Sequence, residues 1–128
     1  MTEKPRPDNR LVQIPPDPAS ITSFVETSIR PGSSVMLAFS EATMSIFLDR
    51  TGDWTITLGL STKNSRMSSL AGQLEELGFF RATEDEGTVY FLWTSALLGL
   101  LDTKHYAEEK LLAALTILQR NTPLCYIS

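Results

Sequence analysis

The chain has 128 residues, about one domain's worth, and its 42% hydrophobic and 20% charged residues exclude wholesale disorder. Eleven Lys and Arg against fifteen Asp and Glu give a net charge of −4, and the basic residues are scattered singly, so no face is cationic enough to track nucleic-acid phosphates. The single cysteine, Cys125, has no partner for an internal disulfide, which makes a reducing, cytoplasmic compartment the expected one.

Residues 1–16 hold four of the seven prolines (Pro5, Pro7, Pro15, Pro16) and are expected to form a flexible proline-rich tail without the apolar stretch of a signal peptide. Leu11, Val12 and Ile14 make a short apolar patch in it that either docks or packs loosely. A single α+β domain is expected over residues 17–128. It opens with a helix: Asp17 can cap it, Pro18 suits its first position, and Ile21, Phe24, Val25 and Ile29 share a face up to the stop at Pro31-Gly32.

Three strand patterns follow. In SVMLAFS, Val35, Leu37 and Phe39 alternate with Met36 and Ala38; in TMSIFLD, Met44, Ile46 and Leu48 alternate with Ser45 and Phe47; in DWTITLGL, Trp54, Ile56, Leu58 and Leu60 oppose Thr55 and Thr57. Short connections make them an antiparallel meander with one apolar face. A second helix is expected after Ser65 as N-cap, with Met67, Leu70, Ala71, Leu74 and Leu77 as its stripe and Gly78 as its terminator. FFRATE and TVYFLW around Asp85-Glu86-Gly87 read as a second hairpin. A last helix over about Lys104 to Arg120 places Tyr106, Leu111, Ala114, Leu115 and Leu118 on one face, before Pro123 and a short C-terminal tail, LCYIS.

The run GTVYFLWTSALLGLL, residues 87–101, has fifteen uncharged residues between Glu86 and Asp102. A spanning helix needs about 20. The run also changes midway from β-branched and aromatic residues to helix formers, so it reads as a strand followed by a short helical turn, with no membrane contact expected.

No constellation in the sequence carries chemistry. His105 is the only histidine, and without companions it does not build a zinc site or a nucleophile-base pair. The glycines form neither a dinucleotide-binding fingerprint nor a phosphate loop. The adjacent carboxylates Glu75-Glu76 and Glu108-Glu109 point apart on their helices and make no acid/base dyad, and Glu84-Asp85-Glu86 is a solvated run at a hairpin tip. No enzyme, cofactor or metal is expected.

What remains is surplus apolar surface. Helices on one side of the sheet leave Met36, Phe47, Tyr90 and Leu92 on the side facing water, and SALLGLL adds Leu97, Leu98, Leu100 and Leu101. These eight residues are the expected partner or dimer surface.

With its order α-β-β-β-α-β-β-α, the chain resembles the type III secretion chaperone-like fold, which includes the class I secretion chaperones and YbjN-type proteins. The resemblance covers about residues 18–122 and rests on element order, size and acidity, with DWTITLGLS and LAGQLEELGFF similar to that fold's third strand and second helix. It implies an antiparallel sheet with helices packed against it, usual dimerisation, no catalytic residues, and binding of an extended segment of another protein along apolar sheet and helix surface. SALLGLL and the last two strands would then be dimer or client surface. The proline-rich tail is not part of that pattern. The resulting expectation is a cytoplasmic homodimer that holds a protein partner or client by apolar and strand-edge contacts. The alternative is an immunity or inhibitor-type protein that blocks one folded toxin or enzyme.

Overall fold

The computed structural model describes residues 10–11, 14–39, 41–97, 103–121 and 125–127. Its elements are β1 (Arg10–Leu11), α1 (Pro18–Ser28), β2 (Ser33–Phe39), β3 (Ala42–Leu48), β4 (Trp54–Ser61), α2 (Met67–Glu76), β5 (Phe80–Asp85), β6 (Thr88–Thr94), a 3-10 turn (Ser95–Leu97), α3 (Thr103–Asn121) and β7 (Cys125–Ile127). This is an α+β fold containing the expected α-β-β-β-α-β-β-α series, with helices on an antiparallel sheet. The short strands β1 and β7 are additional.

Local chemistry sets the boundaries. Asp17 Oδ1 accepts a hydrogen bond from the Ser20 backbone N–H at 2.8 Å, and Pro18 occupies the first turn, so α1 starts where an orphan donor is satisfied and none is wasted. At the other end of α2, Phe79 N–H reaches the Leu74 carbonyl and Gly78 N–H the Glu75 carbonyl, each at 3.1 Å, with Gly78 at φ 99°. That is a Schellman stop, and it turns the Phe79 side chain back into the core. The ammonium of Lys110, on α3, donates to the Leu77 carbonyl and closes the same helix end. The start of α2 departs from expectation. Ser65 is not the cap; Asn64 instead accepts from Arg66 N–H through its side chain (2.8 Å) and from Met67 N–H through its carbonyl (3.1 Å), making a turn that delivers the chain to the helix.

The sheet order is β1-β7-β2-β3-β4-β6-β5, and every neighbouring pair is antiparallel. The meander runs β2-β3-β4. The second hairpin then joins through its later strand, β6, so β6 lies inside the sheet and β5 lies at its edge. The β5–β6 turn places Glu86 and Gly87 at φ 48° and 81°, the two positive values a tight primed turn demands.

One core lies on one side of this sheet. Leu37, Met44, Ile46, Ile56, Leu58, Leu60 and Phe91 from the strands join Ile21 and Phe24 of α1, Leu70 and Leu74 of α2, and Leu111, Leu115 and Leu118 of α3 in a single buried cluster. All three helices therefore cover the same face. Tyr106 was expected on the buried stripe of α3, and this is corrected: it is 40% exposed, and Ala107 is buried in its place. Tyr106 stands five residues before Leu111, about 140° round the helix, whereas Ala107 stands four before, about 40° away.

In the segments read as tails, residues 10–11, 14 and 125–127 are tied to the sheet and the core. Arg10–Leu11 pairs with Tyr126 and Ile127, and Cys125–Ile127 pairs with Leu37–Phe39. Ile14 is buried in the core, with its carbonyl accepting a 2.8 Å hydrogen bond from the Gln119 amide. Ile14, the last residue of the apolar patch Leu11, Val12 and Ile14, is stabilised by this burial.

Candidate protein-docking face

Alternation along the strands decides which residues look away from the helices. Inward positions are buried except Ser33, Val35 and Leu48 at one end of β2 and β3; the outward set is Ser34, Met36 and Ala38 on β2, Thr43, Ser45 and Phe47 on β3, Thr55, Thr57, Gly59 and Ser61 on β4, and Thr88, Tyr90, Leu92 and Thr94 on β6. None of these residues is charged. The strands β2, β3, β4 and β6 carry no Asp, Glu, Lys or Arg on either side, and the edge strand β5 adds Asp85 to this face, opposite Thr88.

Cross-strand pairing arranges the face in rows. Met36 pairs with Ser45, Ser45 with Thr57, Thr57 with Leu92, and Leu92 with Phe80. The next row holds Ala38, Thr43, Gly59, Tyr90 and Thr83, and the row on the other side holds Ser34, Phe47, Thr55 and Thr94. Small side chains on β3 and β4 (Thr43, Ser45, Thr57 and Gly59) thus lie between Met36 on β2 and Tyr90, Leu92 and Phe80 on β6 and β5, and Phe47 stands on β3 opposite Thr55.

Exposure marks the same residues. The large hydrophobic side chains most open to water among the described residues are Met36 (44%), Phe47 (38%), Phe80 (44%) and Tyr106 (40%), and three of these four are on this face. Met36 and Phe47 were expected here and are found exposed; Tyr90 and Leu92 are half-buried on the same side. Leu98, Leu100 and Leu101, and the side chain of Leu97, lie outside the described residues.

Phe80 is the member that the sequence reading missed. From Asp85 opposite Thr88, unbroken pairing would set Phe80 opposite Trp93 and turn it inward. A bulge between Arg81 and Thr83 adds one residue, so Phe80 pairs with Leu92 and faces outward. The only advance signal was Gly78: its stop commits Phe79 to the core and leaves Phe80 to open the strand.

The edges of the sheet offer less. Edge strand β5 is bulged, carries Arg81, Glu84 and Asp85, and ties Arg81 to Glu75 at 3.8 Å with its guanidinium 5.5 Å from the Phe91 ring centre. Strand β1, at the other edge, has two residues. Bulges, charges and brevity all discourage pairing with an added strand.

Among the hollows lined by described residues, one lies by the face and another between helices. One, of about 340 Å³, lies at the end of the sheet and is lined by Glu41, Thr43, Gly59, Ser61, Thr88 and Tyr90 among others. The second, of about 320 Å³, lies between α1 and α3 over Ile21 and Leu112, rimmed by Thr22, His105, Glu108 and Glu109. Its polar groups are engaged with one another. The Thr22 hydroxyl donates to Glu108, Lys104 bridges Glu26 at 2.9 Å and Glu108 at 3.7 Å, and His105 lies 3.3 Å from Glu109 in solvent. The hydrogen bond that Lys104 donates to Glu26, reinforced by the charges of Glu26 and Glu108, holds the pKa of the Lys104 ammonium above its ordinary value. The Thr22–Glu108 and Lys104–Glu26 contacts tie α1 to α3, and the Lys104–Glu108 and His105–Glu109 pairs lie within α3. Among the described residues no three His, Cys, Asp or Glu side chains gather as a metal site, and no helix is long and apolar enough to cross a membrane. Set against protein-family models, curated proteins and solved structures, the chain finds no match in any of the three comparisons.

Proposed function

We propose that the chain is a non-enzymatic protein-binding module, of the chaperone-like kind its sequence resembles, and that the open sheet face is where it takes a polypeptide. One observation carries this reading: among the described residues, three of the four most exposed large hydrophobic side chains share a sheet face on which β2, β3, β4 and β6 present no charge. Apolar residues gathered on one side, rimmed by a polar surface, mark an interaction site. Small hydroxyl side chains between them are cheap to desolvate beside a partner's polar groups, as lysines or glutamates there would not be. The acidic remainder of the surface keeps the module soluble and repels acidic strangers. A cytoplasmic setting accords with the single cysteine.

A photo-crosslinking side chain at position 47, installed in the full chain and irradiated in its native cells, tests the reading. Covalent adducts to a polypeptide are expected at 47 and not at Ser68, an exposed position on α2. Equal labelling at both positions, or none at 47, overturns it.

A further inference from the structure

We infer that the hollow at the end of the sheet receives an arginine side chain of the docked polypeptide, so that the face selects basic partners. This rests on the reading of that face as a docking surface and names the chemistry of what docks.

The walls of the hollow are the first argument. It holds about 340 Å³ among Glu41, Thr43, Gly59, Ser61, Thr88 and Tyr90, and no lysine or arginine is in its lining. The Tyr90 ring lies across Gly59, where a Cβ would stand 3.2 Å from its Cε1, so only the bare glycine leaves the ring in this place. An aromatic ring attracts a cation within about 6 Å of its centre, and the planar guanidinium stacks on such a ring while its N–H groups reach oxygen acceptors. Thr43, Ser61 and Thr88 bring hydroxyl oxygens, and Glu41 brings a carboxylate. An anion would find the reverse, since the Ser61 N–H is already given to the Glu41 carbonyl at 3.0 Å.

Charge placement is the second. Glu41 is exposed and makes no ion pair among the described residues. It stands at φ 63°, a left-handed backbone that side chains other than glycine, asparagine and aspartate rarely adopt. Among the described residues, the one charged residue at an outward strand position is Asp85, opposite Thr88 at this same end. Lys63, close by in the chain, gives its backbone N–H to the Ser61 hydroxyl at 3.2 Å and forms no ion pair with either carboxylate among the described residues. Both carboxylates therefore mark the hollow's end of the face, and the complement of that pattern is a cation.

Spacing is the third. Leu92, in the row of Met36 and Phe80, and Thr88, at the hollow, both face outward on β6, about 13 Å apart along the strand. A partner segment in extended form that seats an apolar side chain on the first row brings the residue four places on to the hollow.

Amide 1H–15N shifts of the full chain, titrated with two end-blocked peptides, are the test. The peptides are Leu-Ser-Thr-Ser-Arg and its glutamine counterpart, Leu-Ser-Thr-Ser-Gln. The arginine peptide is expected to move the amides of Gly59, Ser61 and Tyr90 and to bind about tenfold more tightly than the glutamine one. Glu41→Gln should erase that preference. Glu76→Gln, the same change of charge at an exposed position on α2, should leave it. If Glu41→Gln does not fold, Glu41→Gly suits the left-handed backbone and gives the same reading. Equal affinity for the two peptides overturns the inference, as does a preference that survives in Glu41→Gln or is lost as fully in Glu76→Gln. If both peptides bind equally, or neither binds while position 47 still forms adducts, only the arginine subsite falls. With neither peptide bound and no adducts, the docking reading falls too.

Discussion

The ring of Tyr90 lies across Gly59 on the neighbouring strand. A Cβ built on that glycine would stand 3.2 Å from the ring carbon Cε1, 3.2 Å from Thr88 Cγ2 and 2.8 Å from the Thr43 hydroxyl. Glycine inside a strand ordinarily weakens it by about 0.5–1 kcal/mol relative to alanine, and an aromatic cross-strand neighbour restores the lost cover. Gly59→Val, a change toward better strand propensity, is therefore expected to destabilise the fold by about 1–3 kcal/mol, because the added methyl groups displace Tyr90 and Thr43. Urea denaturation reads the effect. A more stable variant would show that the ring moves aside freely.

Ser95 joins the end of β6 to the start of β4. Its hydroxyl accepts from Trp54 N–H at 2.9 Å and donates to Asp53 at 3.2 Å, and the residue is 1% exposed. Ser95→Ala strands a buried backbone donor, which costs about 1–3 kcal/mol. The same substitution at Ser68, exposed on α2, should change stability by less than about 0.5 kcal/mol. Equal small effects in denaturant melts would mean that water reaches Trp54 N–H.

The helices and long strands were legible because each writes its period in side chains of one kind: Trp54, Ile56, Leu58 and Leu60 against Thr55 and Thr57 leave one choice of face. Met36 and Phe47 could be placed on the outer face by the same alternation. Phe80 could not, since a one-residue bulge reverses parity without a mark in the sequence. Strands β1 and β7 were missed because two or three residues carry no period, and pairing between residues 10–11 and 126–127 is a long-range event. Tyr106 misled because hydrophobicity was counted where helical angle decides.

Asp49 organises the β3–β4 turn and should leave a trace in acid. Its Oδ1 accepts from Thr51 Oγ1 at 2.6 Å, Thr51 N–H at 2.8 Å and Asp53 N–H at 3.1 Å. The Thr51 hydroxyl first, and the Asp53 amide after it, hold this carboxyl below its ordinary 3.8. A carboxyl lowered on folding contributes stability above its unfolded value and loses it as pH falls through the folded one. The wild type should therefore exceed Asp49→Asn in melting temperature at neutral pH, and the gap should close as pH drops below the ordinary value. A gap constant down to about pH 2 would place the effect in turn geometry and not in charge.

Met36 and Leu37 are chain neighbours on opposite faces of β2, and their contrast tests the two-sided sheet directly. Leu37 is fully buried among the core strands, so Leu37→Ala removes packed methyl groups and is expected to cost about 2–5 kcal/mol. Met36 is 44% exposed on the uncharged face, and in the isolated chain Met36→Ser is expected within about 0.5 kcal/mol of the wild type. When the face is covered by another polypeptide, unfolding also uncovers Met36, and its substitution then costs more as protein concentration rises. Melts of both variants across a dilution series separate these cases. The Leu37→Ala deficit stays constant, because it belongs to the monomer core, while the Met36→Ser deficit grows with concentration, because bound partner stabilises only the folded state. A Met36→Ser deficit independent of concentration and as large as that of Leu37→Ala would mean that the outer face is packed by its own chain, and the case for docking there would fail.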